Sequence, residues 1–391
     1  MAHRTRTVLS ALALVTLASS LAVASADPAL AGPSPIQIPP IPTIPPIPTL
    51  PPIPPISGGS YEVGLFGDMP YGDYGRAKYP NLIDDMNRTN LAFSVFDGDI
   101  KNGSEPCYAD PHPHTPAGSV TPEMAVADAT HPDIYKYALN LFGRFRDPVV
   151  YVPGDNEWTD CDRPATMGGA VSDSNDRLAY LRGLFYPTDR SLGQRTIQLI
   201  RQSADYPENV RWSQGPVTFI GLNIPGSDNN FADGTKNGPA AQGQAEYAAR
   251  NAANLEWLRA GFAAAKAAHS KGVMIVIQAD MWDPSATVTH FADTKAELAR
   301  QSIAFDGKVV LVNGDSHSFE MDKPLTDAAT TNAAGLAGPN VIENFTRVTT
   351  FGEAQNHWVS ATIDANDPNV FTFHQHLVTA NLPTYTAPPA P

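Results

Sequence analysis

Acidic residues recur in this sequence at the ends of short apolar runs. The pair Gly-Asp ends four such runs, at Gly67-Asp68, Gly98-Asp99, Gly154-Asp155 and Gly314-Asp315. If these carboxylates met in space without a partner, they would repel one another and some would have to protonate. A bound cation is the simplest way to keep such a cluster charged.

The apolar runs before these pairs predict the strands that bring the aspartates together. They occupy residues 61–66, 91–96, 149–153 and 309–313 and are rich in Val, Leu and Phe. This composition is typical of strands buried on both faces, and a terminal glycine lets the backbone turn sharply. Ligand sites in open α/β sheets lie beyond the carboxyl ends of strands, so we expect the four aspartates to converge.

The remaining periodic segments predict a layered α/β fold. Further strands are predicted at 217–220, 273–277, 358–363 and 370–378, the last two forming a hairpin with its turn at 364–369. Helices are predicted at 81–90, 132–145, 176–185, 241–269 and 295–305. The stretches 104–131 and 159–215 are expected to contain no strand. Alternating strands and helices favour helices packed on sheets.

The N-terminal segment predicts export from the cell. Residues 1–26 contain two early arginines, an apolar stretch and the small-residue cleavage pattern Ala24-Ser25-Ala26, as in a secretory signal peptide. The alternative is a membrane anchor, but the stretch is short for a span and no later segment is apolar enough. We therefore expect a secreted or wall-associated protein with no membrane span.

The chain carries a formal charge of −14 over 391 residues. An acidic chain without a basic stretch does not neutralise phosphates electrostatically, which argues against nucleic acid as a partner. It does not exclude a small phosphorylated substrate, because a bound metal can reverse the local field.

A proline-rich segment separates the signal from the body of the chain. Within 27–57, an apolar residue recurs at every third position, which would form one edge of a polyproline II rod. This linker is either a spacer or a docking edge, for example at the cell wall. Residues 58–385 are predicted to form the globular domain, and 386–391 a disordered tail.

The two cysteines are expected to pair. Cys107 and Cys161 each follow one of the Gly-Asp turns at short distance, and export places them in an oxidising compartment. If the turns converge, a disulfide would link two loops of the site. The alternative is two unpaired thiols, which export disfavours. A zinc–thiolate site is not expected, because two cysteines without a Cys-x-x-Cys spacing lack the usual ligand pattern.

Five blocks together resemble one known family. They are Asp68-Met69-Pro70, Gly98-Asp99, Gly154-Asp155-Asn156-Glu157, Gln278-Ala279-Asp280 and Gly314-Asp315-Ser316-His317. In order and spacing, over roughly residues 61–320, they are similar to the calcineurin-like metallophosphoesterases, and in detail to a divergent secreted branch of them. The resemblance implies a four-layer αββα sandwich of two mixed β-sheets flanked by helices. It also implies a secreted phosphoesterase that attacks a small phosphorylated substrate with a metal-activated water.

The resemblance also assigns the metal ligands. Asp68, Asp99 and His317 would hold one ion, and Asp99 would bridge to a second. The second ion would be held by Asp99, Asp155, Gln278 and Asp315. Because oxygen ligands dominate, two divalent ions such as Mn²⁺, Mg²⁺, Ca²⁺ or Fe²⁺ are expected rather than Zn²⁺.

The sequence departs from the family where histidines are expected. Pro70, Gln278 and Asp315 replace family histidines, and Asn156 stands where the family has the histidine that protonates the leaving oxygen. Asn156 and Glu157 remain the catalytic candidates in this block. His112 or His114 could also approach from the loop after Cys107.

Three other interpretations stay open. The chain could be a degenerate member of the fold that binds a cation or ligand at the cell wall without catalysis. The aspartates could simply cap turns. Gly314-Asp315-Ser316 also resembles the nucleophile block of the Gly-Asp-Ser esterases, although that block normally opens its domain.

Overall fold

The computed structural model describes residues 59–105, 107, 133–162, 174–231, 240–327, 340–353 and 355–383. These residues form two mixed β-sheets with helices packed against them. The strands are β1 (Tyr61–Phe66), β2 (Leu91–Phe96), β3 (Val149–Tyr151), β4 (Ile200–Arg201), β5 (Val210–Gln214), β6 (Val217–Gly221), β7 (Gly272–Val276), β8 (Lys308–Asn313), β9 (Glu320–Asp322), β10 (Phe345–Thr349), β11 (Trp358–Ile363) and β12 (Phe371–His376).

The longer helices are α1 (Gly72–Arg88), α2 (Ile134–Phe142), α3 (Ser174–Phe185), α4 (Ala240–Ala267) and α5 (Ala292–Ile303). The predicted helices correspond to these five, with shifted ends. The largest shift is in α1, which begins at Gly72 rather than at residue 81 and contains Pro80. Its buried residues Tyr79, Leu82, Ile83 and Met86 have the spacing of one helical face.

The strand order groups the parallel strands of each sheet side by side. The five-stranded sheet has the order β12-β11-β1-β2-β3, and the seven-stranded sheet has the order β4-β5-β6-β7-β8-β10-β9. The trio β1, β2 and β3 is parallel, and so is the series β6, β7, β8 and β10. The carboxyl ends of each parallel group therefore lie at one edge of its sheet.

Three apolar layers show how the sheets and helices stack. Val63 of β1 and Val276 of β7 belong to one buried cluster, which is the core between the two sheets. Phe96 and Tyr79 belong to a second cluster, under α1 and α2. Ile275 and Phe262 belong to a third, where α4 and α5 cover the larger sheet. Side chains alternate between faces along a strand, so one strand contributes to two of these cores, and the predicted four-layer arrangement is confirmed.

The prediction that residues 159–215 contain no strand is wrong. Strands β4 and β5 both lie in this stretch and form the antiparallel edge of the larger sheet. In β5, Val210 and Trp212 are buried while Ser213 is exposed, which is the alternation of a strand covered on one face. A search for continuous apolar runs overlooks such strands. It also missed β9, a short and largely exposed strand at the other edge of the sheet, and β10, a buried interior strand whose apolar residues are interrupted by Thr and Arg. The predicted C-terminal hairpin is present as β11 and β12.

Candidate metal centre

The Gly-Asp pairs lie at the carboxyl ends of central strands in both sheets. Asp68 follows β1 and Asp99 follows β2, while Asp315 follows β8. All three adopt left-handed backbone conformations, with φ of 49°, 63° and 72°. This region is sparsely populated by residues other than glycine, and such strain concentrates at functional sites.

The neighbouring glycines allow the turns to approach one another closely. A Cβ atom on Gly314 would lie 1.9 Å from Asp68 Oδ2, and one on Gly154 would lie 2.1 Å from Asp99 Oδ1. From the sequence, these glycines were expected to allow sharp backbone turns. At Gly154 and Gly314, the more important property of glycine is that it has no side chain, which leaves room for a carboxylate that follows another strand.

Asp68, Asp99 and His317 form the tightest group of potential ligands. One oxygen of each carboxylate and one imidazole nitrogen all lie within 4.8 Å of one another. His317 Nε2 is 3.6 Å from Asp68 Oδ1, and its Nδ1 is 3.8 Å from Glu353 Oε2. Atoms at this spacing can share one ion at ordinary coordination distances. Among the described residues, no other group of three His, Cys, Asp or Glu side chains meets this spacing.

Asp155 and Asp315 lie beside this group but make different contacts. A Cβ on Gly226 would lie 2.8 Å from both carboxylates, so the two face the same backbone. Asp155 accepts hydrogen bonds from Gln278 Nε2 at 3.1 Å and from Ser227 Oγ at 2.7 Å. The backbone N–H of Asp315 donates to both oxygens of Asp68, at 3.1 and 3.0 Å. All the predicted metal ligands are therefore gathered in one region.

Burial and mutual repulsion disfavour the ionised form of the clustered aspartates. Burial, followed by repulsion from Asp155 and other acidic neighbours, holds the pKa of Asp99 well above its usual value. Burial and the charges of Asp155 and Asp68 do the same to Asp315. No Lys or Arg of the described residues forms an ion pair with Asp68, Asp99, Asp155 or Asp315. The carboxylates must therefore take up protons or share a cation, and the Asp68–Asp99–His317 group fits a divalent ion.

The acidic neighbours also change the pKa of the His317 imidazole. Burial lowers its pKa, but the hydrogen bond and charge of Asp68 outweigh that effect and raise the pKa overall. A metal ligand must be the neutral imidazole, so ion binding and protonation of His317 compete.

A cavity of about 620 Å³ opens onto these groups. Its wall includes Asp99, Asp155, Asn156, Asp315 and His317, but no Lys or Arg of the described residues. The negative charge of the wall makes the cavity unsuited to an anion unless a cation is present.

The two predicted catalytic residues occupy different places. Asn156 lines the cavity and donates from Nδ2 to Asp99 Oδ2 at 2.6 Å. Glu157 is fully buried and is not part of the cavity wall. Its Oε1 accepts from Tyr151, from the N–H of Gly154 and from the N–H of Asp99. These contacts favour a role for Glu157 in positioning two Gly-Asp turns.

Among the polar residues of the cavity that sequence reasoning missed, Tyr71 and Ser227 form hydrogen bonds to predicted metal ligands. Tyr71 donates to Asp99 Oδ2 at 2.8 Å and accepts from Asn156 at 2.8 Å. Ser227 lies in the short turn Gly226–Asn229, where its φ is 48°. Tyr71 stands three positions after Asp68, a signal that could have been used. The run Gly226-Ser-Asp-Asn-Asn230 predicts a turn, but nothing in it marks Ser227 as a contact of Asp155.

The predicted disulfide between Cys107 and Cys161 is present, with Cα atoms 5.7 Å apart. It links the loop after Asp99 to the short helix Thr159–Asp162 after Asp155. Several other predictions lie outside the described residues: the signal peptide, the proline-rich linker, His112, His114 and the C-terminal tail. Among the described helices, none is long and apolar enough to cross a membrane.

Comparisons with known proteins give limited information. No family model matches the chain, and no curated protein matches it. Among solved structures, it is similar to a dimetal phosphatase from Danio rerio, with 13% sequence identity and a TM-score of 0.47. The match covers 82% of this chain and 96% of the phosphatase. Membership of the calcineurin-like family therefore stays a prediction.

Proposed function

We propose that this protein is a metal-dependent phosphoric ester hydrolase that is exported from the cell. The observation that carries the proposal is the meeting of Asp68, Asp99 and His317 within 4.8 Å, with Asp99 and His317 in the wall of a cavity. These residues come from the ends of three strands in two sheets, far apart in sequence. Their order and spacing are those on which the resemblance to metallophosphoesterases rests.

The residues of the chain have separable roles in such a reaction. Asp68, Asp99 and His317 would hold a divalent ion, which when bound orients a phosphoryl group and lowers the pKa of an attacking water. Tyr71 and Asn156 hold Asp99 by hydrogen bonds and border the space where the substrate would lie. An exported protein with a disulfide beside its site is consistent with the signal sequence.

The experiment is hydrolysis of aryl phosphate monoesters and diesters by the purified protein after chelation, with Mn²⁺, Mg²⁺ or Ca²⁺ added back. We expect activity to disappear on chelation and to return with metal. Asp68→Asn and His317→Ala should reduce kcat/KM by at least about 100-fold, the upper end for disturbing a ligand shell. Asp84→Asn is a matched control, because Asp84 is an exposed aspartate on α1. Activity that survives chelation and both site variants would reject the proposal.

A second candidate function is cation or ligand binding without turnover. Asn156 occupies the position of the family's proton donor and cannot titrate, and the carboxyl group of Glu157 lies outside the cavity. General acid catalysis is typically worth about 10²–10⁴-fold, so its loss would affect esters with poor leaving groups most. Metal binding without hydrolysis of any aryl or alkyl ester would favour this candidate.

A further inference from the structure

The side-chain amide of Gln278 lies between the two carboxylates that a second ion would have to bridge. Its Nε2 is 3.3 Å from Asp99 Oδ2 and 3.1 Å from Asp155 Oδ1. Gln278 is fully buried, and Asp99 and Asp155 are 1% and 5% exposed. The amide thus donates to both carboxylates from a fully buried position behind the cavity wall.

A backbone contact fixes the orientation of this amide. The buried N–H of Gly226 donates to Gln278 Oε1 at 2.6 Å. If the amide were turned over, this N–H would face an NH₂ group, and both carboxylates would face a carbonyl oxygen. Each buried polar group left unpaired costs about 1–3 kcal/mol. The NH₂ group therefore stays directed at Asp99 and Asp155.

The contacts of Asp155 also favour hydrogen bonds from the chain over a second ion. Its Oδ1 accepts from Gln278, and its Oδ2 lies 2.7 Å from Ser227 Oγ, a hydroxyl that is also 2.7 Å from Asp160 Oδ1 and shares its single proton between the two carboxylates. Ser227 is held there by a backbone turn in which residues 227–230 all have positive φ. Asn229 O in this turn accepts from the buried Arg250 at 2.8 Å. Asp155 thus faces two neutral donors of the chain, of which the Gln278 amide is the one that it does not share with Asp160.

We propose that the centre holds one divalent ion, at Asp68, Asp99 and His317, and that the Gln278 amide takes the place of a second ion. The positive end of the amide would face any cation that bridged Asp99 and Asp155. At the first position, His317 supplies a nitrogen lone pair instead. This inference rests on the proposed metal-dependent function and changes the expected number of ions from two to one.

The test is metal stoichiometry of the full-length protein, stripped with chelator and reloaded with Mn²⁺, by elemental analysis and electron paramagnetic resonance. We expect one Mn²⁺ per chain and the spectrum of an isolated ion. Two ions per chain with a spin-coupled spectrum would overturn the inference while leaving the proposed function intact. One ion per chain without hydrolysis of any ester would support the inference and reject the proposed function. Absence of any bound ion would overturn both.

Variants locate the single ion. Asp155→Asn should keep one Mn²⁺ per chain, because Asp155 is bonded by chain donors, whereas His317→Ala should lose it. Gln278→His removes the amide donors and adds a nitrogen ligand, so it should raise the stoichiometry towards two. A loss of the ion in Asp155→Asn, or a single ion in a folded Gln278→His protein, would contradict the role given to Gln278.

Discussion

Replacing Gly314 by alanine tests whether close approach of the strand-end turns creates the metal centre. The new Cβ would lie 1.9 Å from Asp68 Oδ2, whereas real Cβ contacts essentially never fall below 3.0 Å. Asp68 must therefore retreat by at least 1.1 Å. Coordination distances tolerate only about 0.2 Å of change, so Asp68 would no longer reach the ion. Because Gly314 does not have a positive φ, the backbone itself accepts alanine and the effect is steric.

We expect Gly314→Ala to weaken Mn²⁺ binding by at least about 10–100-fold, or about 1.4–2.8 kcal/mol. The assay is calorimetric titration of stripped protein with Mn²⁺, with circular dichroism to establish that the variant folds. Gly183→Ala is the matched control: it lies on α3 with nothing within 4 Å of the added Cβ. The control should bind Mn²⁺ normally and gain up to about 1 kcal/mol of stability from helix propensity. A folded Gly314→Ala protein with native Mn²⁺ affinity would refute the reasoning.

Three further predictions follow from the site. Burial raises the pKa values of Asp99 and Asp315 above those in the unfolded chain. Protonation of the two carboxyl groups therefore stabilises the metal-free protein at low pH. This stabilisation is lost as the pH rises through the pKa values of the folded protein. The increase in Tm on adding Mn²⁺ should therefore be larger at about pH 8 than at about pH 5; a constant increase would contradict it. Replacing Cys107 and Cys161 by serine should lower the free energy of unfolding by about 4 kcal/mol, because the disulfide closes a loop between residues 54 positions apart. Urea denaturation measures this, and a denaturation midpoint equal to that of the native protein would contradict the prediction. Glu157→Gln should lower the free energy of unfolding by about 1–3 kcal/mol but keep kcat within about tenfold of the native value, since this carboxyl group does not line the cavity; a loss of about 10²–10⁴-fold, as for removal of a general acid, would restore its catalytic role.

The strands and their terminal aspartates could be predicted because both signals are local. Buried parallel strands are continuous apolar runs, and Asp68, Asp99 and Asp315 each follow such a run directly. Placing these strands side by side makes convergence of their ends a geometric consequence. Strand β5 (Val210–Gln214), which lies next to the edge of the larger sheet, was not predicted because only one of its faces is apolar.

The finer chemistry of the site could not be predicted from local patterns. Ser227 reaches Asp155 only because residues 227–230 adopt left-handed conformations in succession; Asp and Asn visit this region as single residues, but a run of four is not predicted by local propensity. Gln278 was predicted as a metal ligand because it replaces a family histidine, but its orientation depends on the N–H of Gly226, a contact across 52 positions of sequence. Such contacts exist only in the folded chain, so the sequence suggested which residues meet but not which atoms face each other.

The most direct test of the metal centre is a crystal structure of the Mn²⁺-loaded protein with anomalous diffraction data. A single anomalous peak within about 2.0–2.3 Å of Asp68, Asp99 and His317 is the predicted result. An anomalous map with no peak at these three residues, from crystals shown to contain manganese, would contradict the claim that they form a metal centre.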